Sequence, residues 1–259
     1  MRRLPQDEAL SERAWLEERD PGGFYCGYEV GAWPASTWVL NAMYENPHLP
    51  DRTHDENEKL AIAERRQEPT YINGVAIESE TIATGGGLGY SRIPPQAWTR
   101  ILWSDYSARI KRALALGTTT PPCYRWFPSG SWPMAIEPPT EGSLDERSFR
   151  SIIETLELEA PDPSGEYFAF WGEGPSQDDD ARIVLYSGTL REIFDFVNDS
   201  DEVQPFSPSN IWPANRSWLT STDWDLWGTQ IGGTPELIAA IEANEHLETL
   251  RWERPPASE

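Results

Sequence analysis

The sequence predicts an α+β fold in which a mostly antiparallel sheet is flanked by helices, with two subdomains. In the second half, segments with the residue pattern of β-strands occur in consecutive pairs joined by turn residues, as at 167–171 and 182–186. Hairpins therefore outnumber parallel crossovers. Capped helical segments separate these pairs, most clearly at Ser143, which begins a capping box that ends at Glu146.

The elements of the first half are predicted to be short. Helices are expected at 7–19, 34–44, 51–68 and 105–116, and strands at 24–30, 70–84 and 98–103. Pro34 is placed in a first helical turn, where its missing N–H costs nothing. Thr53 and Glu56 form a second capping box, at the start of a polar helix.

A polar segment at 117–122 ends in two prolines and is the predicted domain boundary. It divides the chain into an N-terminal mixed helix and strand domain, 1–117, and a C-terminal α+β domain, 123–254. In the second domain, strands are predicted at 123–127, 132–136, 167–171, 182–186 and 247–252, and helices at 143–156, 189–197 and 234–241.

The chain is organised around residues 209–233, which are predicted to form two antiparallel strands, 217–223 and 224–231. Four tryptophans lie in this stretch among charged residues. Most of their area is expected in the core, and the remainder is predicted to form a binding surface. The predicted binding residues are Arg216, Trp218, Asp223, Trp224, Asp225 and Trp227.

Composition limits the class of partner. The chain carries 21 basic and 43 acidic side chains, a formal net charge of −22. This charge argues against direct contact with nucleic-acid phosphates and with anionic membranes. It favours a basic protein partner, because long-range fields steer association. A second interpretation is solubility in an acid-rich or salt-tolerant host.

Other features predict a cytoplasmic protein without a cofactor or metal. The two cysteines, Cys26 and Cys123, lie far apart, so neither a disulfide framework nor a structural zinc site is expected. The N-terminal residues lack the apolar core of a signal peptide. No run reaches the roughly 18 apolar residues of a membrane span.

Residues 142–252 resemble a family of uncharacterised actinobacterial proteins. The resemblance lies in Gly142-Ser-Leu-Asp145, Phe168-Ala-Phe-Trp171, Gly172, Tyr186, Gly188, Trp212-Pro213, Arg216-Ser-Trp218, Thr222-Asp223, Gly232-Gly233 and Leu247-Glu248. Residues 98–104 are similar to an element of uncharacterised proteins from the same bacteria. The resemblance implies a bacterial, cytoplasmic setting and brings no activity.

No motif in the sequence compels a reaction. None of the three histidines stands near a serine or cysteine nucleophile signature. Asp223 and Asp225 flank Trp224 and are the only carboxylate pair in an aromatic setting. As residues two apart on a strand they would share a face, either as an acid–base pair or as exposed hairpin residues paired with Arg216 or Arg125.

Two functions remain open on the sequence. The first is a non-catalytic binding protein of the immunity or antitoxin type, whose acidic, aromatic surface binds a basic partner. The second is a carboxylate-dependent enzyme acting on a sugar or nucleotide stacked on tryptophan. A recessed pocket enclosing Asp223 or Asp225 with convergent polar groups would favour the enzyme, and a flat acidic surface would favour the binding protein.

Overall fold

The computed structural model describes residues 1–20, 28–31, 33–65, 71–72, 75–76, 97–111, 120–127, 131–172, 184–199 and 206–252. The helices are α1 (Gln6–Arg19), α2 (His54–Arg65), α3 (Trp103–Arg109), α4 (Glu146–Glu159), α5 (Leu190–Asp199) and α6 (Pro235–Ala243). The strands are β1 (Arg2–Arg3), β2 (Ala35–Leu40), β3 (Met43–Glu45), β4 (Tyr71–Ile72), β5 (Val75–Ala76), β6 (Thr99–Ile101), β7 (Ile136–Glu137), β8 (Tyr167–Trp171), β9 (Val184–Gly188), β10 (Asn210–Pro213), β11 (Leu219–Thr222), β12 (Gly228–Gly233) and β13 (Thr249–Leu250).

The strands form one large and two small sheets. The large sheet has eight strands in the order β1-β9-β8-β10-β11-β12-β2-β13, and each neighbouring pair is antiparallel. A three-stranded sheet has the order β6-β3-β7, and β4 pairs with β5. The α+β prediction is therefore confirmed. Both edges of the large sheet are two-residue strands, which limits the backbone left unpaired there.

The eight-stranded sheet and the three-stranded sheet each combine strands from the two predicted domains. β1 and β2 precede the predicted boundary and join strands of residues 123–254 in the large sheet. In the three-stranded sheet, β3 and β6 precede the boundary and β7 follows it. The division into domains 1–117 and 123–254 stays a prediction. Because the two segments share these sheets, removing the first segment would expose the edges of β12 and β13 that pair with β2.

The helix predicted at 34–44 is wrong, because this segment forms β2 and β3. β2 pairs along its whole length with β12, from Ala35 opposite Gly233 to Leu40 opposite Gly228. Pro34 and the spacing of Trp38, Ala42 and Met43 favoured a helix locally. The segment forms a strand instead, because pairing six residues with β12 gives hydrogen-bond partners to the backbone N–H and C=O groups of a largely buried segment.

Three further predictions need correction. Residues 209–233 form three strands, β10 to β12, so Asp223 and Asp225 lie in the turn between β11 and β12. The predicted strand at 123–127 contains a 3₁₀ turn, Tyr124–Trp126. The cap of α4 is Asp145, whose side chain accepts from Ser148 N at 3.0 Å. Parts of several predicted segments lie outside the described residues: 24–27, 66–68, 70, 73–74, 77–84, 112–116 and 182–183.

The large sheet is covered on both faces. One face carries Ile211, Ile231 and Val39 and packs against apolar residues of α4, α5 and α6, such as Phe149 and Ile238. The opposite face is covered differently at its two ends. α1 covers the end formed by β8, β9 and β10, where Phe168, Phe170, Leu185 and Trp212 meet Ala9 and Leu16.

An aromatic cluster covers the other end of that face. Its buried members are centred on Trp103, whose ring lies 6.3 Å from that of Trp126 and 6.1 Å from that of Trp227. Leu226 and Trp252 pack on this cluster and are partly exposed. Between the cluster and the α1 end, this face of the sheet carries the polar side chains of Ser36, Ser221 and Gln230, and a cavity lies over them.

Candidate functional site

The cavity has a volume of about 350 Å³ and is called the acidic cavity below. This volume is within the range of about 300–1,000 Å³ that is usual for small-ligand sites. It is lined by Glu29, Gly31, Ser36, Trp38, Pro121, Ser221, Asp223, Leu226, Gln230 and Trp252.

The floor of the cavity is a row of side chains from three adjacent strands. Ser221 of β11 is opposite Gln230 of β12, and Gln230 is opposite Trp38 of β2. Directly opposed residues in antiparallel strands point to the same face, so this row follows from the register alone. Ser36 shares the face of Trp38, because it lies two residues before it.

One wall of the cavity is the segment 28–31, which is held to the sheet by Asn210. Tyr28 N donates to Asn210 Oδ1 at 2.7 Å, and Asn210 Nδ2 donates to the carbonyls of Tyr28 at 2.8 Å and Thr220 at 2.9 Å. The Asn210 side chain thus pairs with the backbone of Tyr28 as a neighbouring strand would. Glu29 and Gly31 follow and lie exposed at the cavity rim.

Close approach of this wall to β12 requires glycine at 232. A Cβ atom added to Gly232 would lie 2.3 Å from Val30 Cγ1 and 2.6 Å from Trp33 Cδ1. Val30 is fully buried in the space that the missing side chain leaves. The glycine pair that the sequence shows before α6 therefore shapes the cavity wall as well as the strand end.

The opposite side of the cavity is formed by the turn between β11 and β12. Asp225 N donates to Asp223 Oδ1 at 2.9 Å, and Leu226 N donates to the Asp223 carbonyl at 3.2 Å. This Asx-type turn directs Asp223 to the cavity and leaves Asp225 exposed. Gly142 packs under the turn with φ +73°, and a Cβ there would lie 2.7 Å from the Trp224 carbonyl oxygen.

Burial raises the pKa of Asp223 above its ordinary value, and the negative charges of Asp225 and Glu29 raise it further. The hydrogen bond from Asp225 N acts in the opposite direction; its effect is smaller than that of burial and larger than that of either neighbouring charge. Burial also raises the pKa of Glu141, and Asp225 adds to that shift. The carboxylates at this end of the sheet are thus close enough to repel one another.

A neutral residue at 223 is expected to stabilise the protein at neutral pH. A raised folded-state pKa means that the folded protein binds more protons than the unfolded chain between pH 3.8 and that pKa, so stability falls as the pH rises through it. Asp223→Asn keeps the Oδ1 acceptor for Asp225 N and removes the charge. We expect a higher melting temperature than wild type at pH 7 and no difference at pH 3.

Thermal unfolding followed by circular dichroism at both pH values measures this effect. Asp225→Asn is the matched control, since it removes the same charge from an exposed position and should give a smaller gain. A lower melting temperature for Asp223→Asn at pH 7 would contradict the inference that burial and nearby charges disfavour the ionised carboxylate of Asp223.

The six residues predicted to form a binding surface lie in different parts of the structure. Asp223 lines the cavity, and Asp225 and Trp224 adjoin it in the same turn. Trp224 stacks on Phe206 with ring centroids 4.7 Å apart. Trp218 and Trp227 are core residues, 0% and 1% exposed.

Arg216 lies away from the cavity, in the exposed connection between β10 and β11. Its guanidinium lies over the Trp15 ring at 5.4 Å and its Nη2 is 3.9 Å from Glu12 Oε2, so it contacts α1. It adopts a positive φ of 55°, which indicates a turn position. Glu29, Ser36, Trp38, Ser221, Gln230 and Trp252 are the cavity residues that sequence reasoning missed.

Comparison of the sequence with protein-family models, with curated proteins and with solved structures finds no match. Within the described ranges, no three His, Cys, Asp or Glu side chains are grouped so that they could hold a metal ion. Of the helices that the structure describes, none has the length and apolar character needed to cross a membrane. The function is therefore inferred from the residues of the cavity.

Proposed function

We propose that this chain is a non-catalytic binding protein whose acidic cavity receives a cationic side chain from a basic protein partner. The observation that carries the proposal is the charge of the lining. Asp223 and Glu29 are acidic, and none of the described residues that line the cavity is basic. A positive group placed there would be attracted to both carboxylates.

The state of Asp223 supports a cationic occupant. Its raised pKa shows that the folded protein places this carboxylate where its ionised form is poorly solvated and faces other negative charges. A cation in the cavity would relieve both effects, because an opposite charge within a few ångströms favours the ionised form. Binding a cation and ionising Asp223 are therefore mutually favourable.

The shape of the site fits a protruding side chain. The rim residues Glu29 and Gly31 are exposed, whereas the floor is formed by the sheet. A side chain with an apolar stem and a charged end could pack its stem against Leu226 and Pro121 and place its charge beside Asp223. The net charge of −22 would attract a basic protein and raise its association rate. Such a partner matches the immunity or antitoxin type of protein, which neutralises a basic toxin.

Titration with a short peptide that carries one lysine and one arginine tests the proposal. Two-dimensional NMR of the indole N–H signals, with Trp38 and Trp252 assigned from phenylalanine variants, reports binding at the cavity. We expect Asp223→Asn to weaken binding at least tenfold. Asp225→Asn is the matched control and should weaken it less than threefold, since the same charge is lost outside the lining. Equal effects of the two variants would show diffuse electrostatic attraction and would contradict a cavity site.

One observation favours a second candidate, a carboxylate-dependent enzyme. Asp223, whose pKa is raised, lines the same cavity as Trp38 and Trp252 and feels the charge of Glu29. Two carboxyl groups with different pKa values can act as general acid and general base. Neutral methyl glycosides and nucleosides in the same titration distinguish the candidates. Their binding at Trp38 and Trp252, without binding of the basic peptide, would favour the enzyme.

A further inference from the structure

We infer that the occupant of the acidic cavity is specifically an arginine side chain. This inference rests on the proposed function and names the chemistry that the cavity selects. It depends on three features of the described residues: the neutral acceptors on the floor, the two tryptophan rings and the position of Asp223.

The floor presents hydrogen-bonding groups that the protein itself does not use. Ser36, Ser221 and Gln230 come from three adjacent strands, and in the described part of the chain their side chains make no hydrogen bond. The hydroxyl and amide oxygens of these residues are acceptors. Together with the carboxylates of Asp223 and Glu29, they surround the cavity with acceptors at several positions.

A guanidinium group matches a distributed set of acceptors better than an ammonium group. Arginine carries five N–H donors fixed in one plane, whereas lysine carries three donors on a single atom. A planar fork can reach a carboxylate at one edge and neutral oxygens at another, but a point-like ammonium is placed best beside one carboxylate. Asp223 lies on the β11–β12 turn and the neutral acceptors Ser221 and Gln230 lie on the floor, so the acceptors are distributed as a planar fork requires and the arrangement favours arginine.

Aromatic walls add to this preference. Trp38 and Trp252 both line the cavity, with ring centroids 6.3 Å apart and planes at 77°. A flat cation can stack on the exposed face of one of these rings, where the ring quadrupole attracts positive charge. The guanidinium is also more weakly hydrated than an ammonium, so it loses less on entering a partly buried site.

The test compares three blocked amino acids of similar size on the full chain: the N-acetyl, N-methylamide forms of arginine, lysine and citrulline. Citrulline keeps the shape of arginine and lacks its charge. Titrations are followed by the indole N–H signals of Trp38 and Trp252. We expect arginine to bind at least tenfold more tightly than lysine, and citrulline to bind no more tightly than lysine.

Two variants that do not change the charge test whether the floor residues cause the preference for arginine over lysine. Gln230→Ala and Ser221→Ala each remove a floor acceptor without changing the charge and should reduce the arginine-to-lysine ratio at least threefold. Gln6→Ala, at an exposed position on α1, is the control and should leave the ratio unchanged. An arginine preference that survives both floor variants would overturn the inference, because the guanidinium would then be recognised elsewhere.

The outcomes separate this inference from the proposed function. If lysine binds as tightly as arginine, the arginine inference fails and a general cation site remains. If neither cation binds more tightly than citrulline, the proposed function itself fails. If arginine alone binds and the floor variants remove the preference, both stand.

Discussion

Replacing Asn210 with aspartate is expected to destabilise the protein by about 3 kcal/mol or more at neutral pH. The Asn210 side chain is fully buried and its Nδ2 donates to two carbonyl groups, those of Tyr28 and Thr220. Aspartate has nearly the same shape, but it would place an oxygen and a negative charge against both carbonyls. The loss should be smaller in acid, since a protonated carboxyl can donate one of the two hydrogen bonds.

Chemical denaturation at pH 7 and pH 4 measures this difference. Asn215→Asp is the matched control, because Asn215 is exposed in the connection after β10 and should tolerate the change within about 1 kcal/mol. The Tyr28 amide donates a hydrogen bond to Asn210 Oδ1, and its hydrogen exchange should accelerate in Asn210→Asp. An unchanged denaturation midpoint at pH 7 would show that segment 28–31 is held to the sheet by other contacts.

Gly232→Ala is expected to cost about 1–3 kcal/mol, because the new Cβ overlaps Val30 and Trp33. Both neighbours are branched or ring side chains and cannot withdraw as the end of a flexible chain can. The wall segment must therefore shift away from β12, which should also weaken binding of the basic peptide in the acidic cavity.

Gly188→Ala provides the control for Gly232→Ala. An added Cβ at 188, at the end of β9, would meet Glu192 Oε2 at 2.9 Å, so this side chain must shift and its capping hydrogen bond from Thr189 N is weakened. We expect a loss of about 1 kcal/mol, typical of a weakened cap, and unchanged peptide binding. Weaker peptide binding in Gly188→Ala as well would show that the effect of Gly232→Ala on binding does not come from the approach of the wall.

Local sequence signals predicted the elements whose boundaries are set by short-range hydrogen bonds. Thr53 and Glu56 form reciprocal hydrogen bonds at the start of α2, and Thr189 and Glu192 do the same at α5. Thr234 accepts from Leu237 N at 3.2 Å and begins α6. These bonds lie within four residues of sequence, so the residue types alone indicate them.

The candidate site could be predicted only in part. Asp223 was identified because it stands beside tryptophans, and the structure places it in the cavity. The floor residues were missed, because serine and glutamine on a strand resemble ordinary solvent-facing positions. Trp218 and Trp227 were named as binding residues because a sequence does not show which residues bury a tryptophan. In the structure, Trp218 stacks on Tyr167 and Trp227 packs in the aromatic cluster around Trp103.

The sequence by itself determined the class of fold, most capped helices, the strong negative charge and the presence of paired strands within 209–233. Only the tertiary structure decided that 34–44 is strand, that β2 completes the sheet beside β12, and that Ser36, Trp38, Ser221 and Gln230 meet on one face. The physical reason is the range of the interactions. Caps and periodicity act over one or two helical turns, whereas strand partners and cavity walls here come from residues about 190 apart in the chain, as Trp38 opposite Gln230 shows.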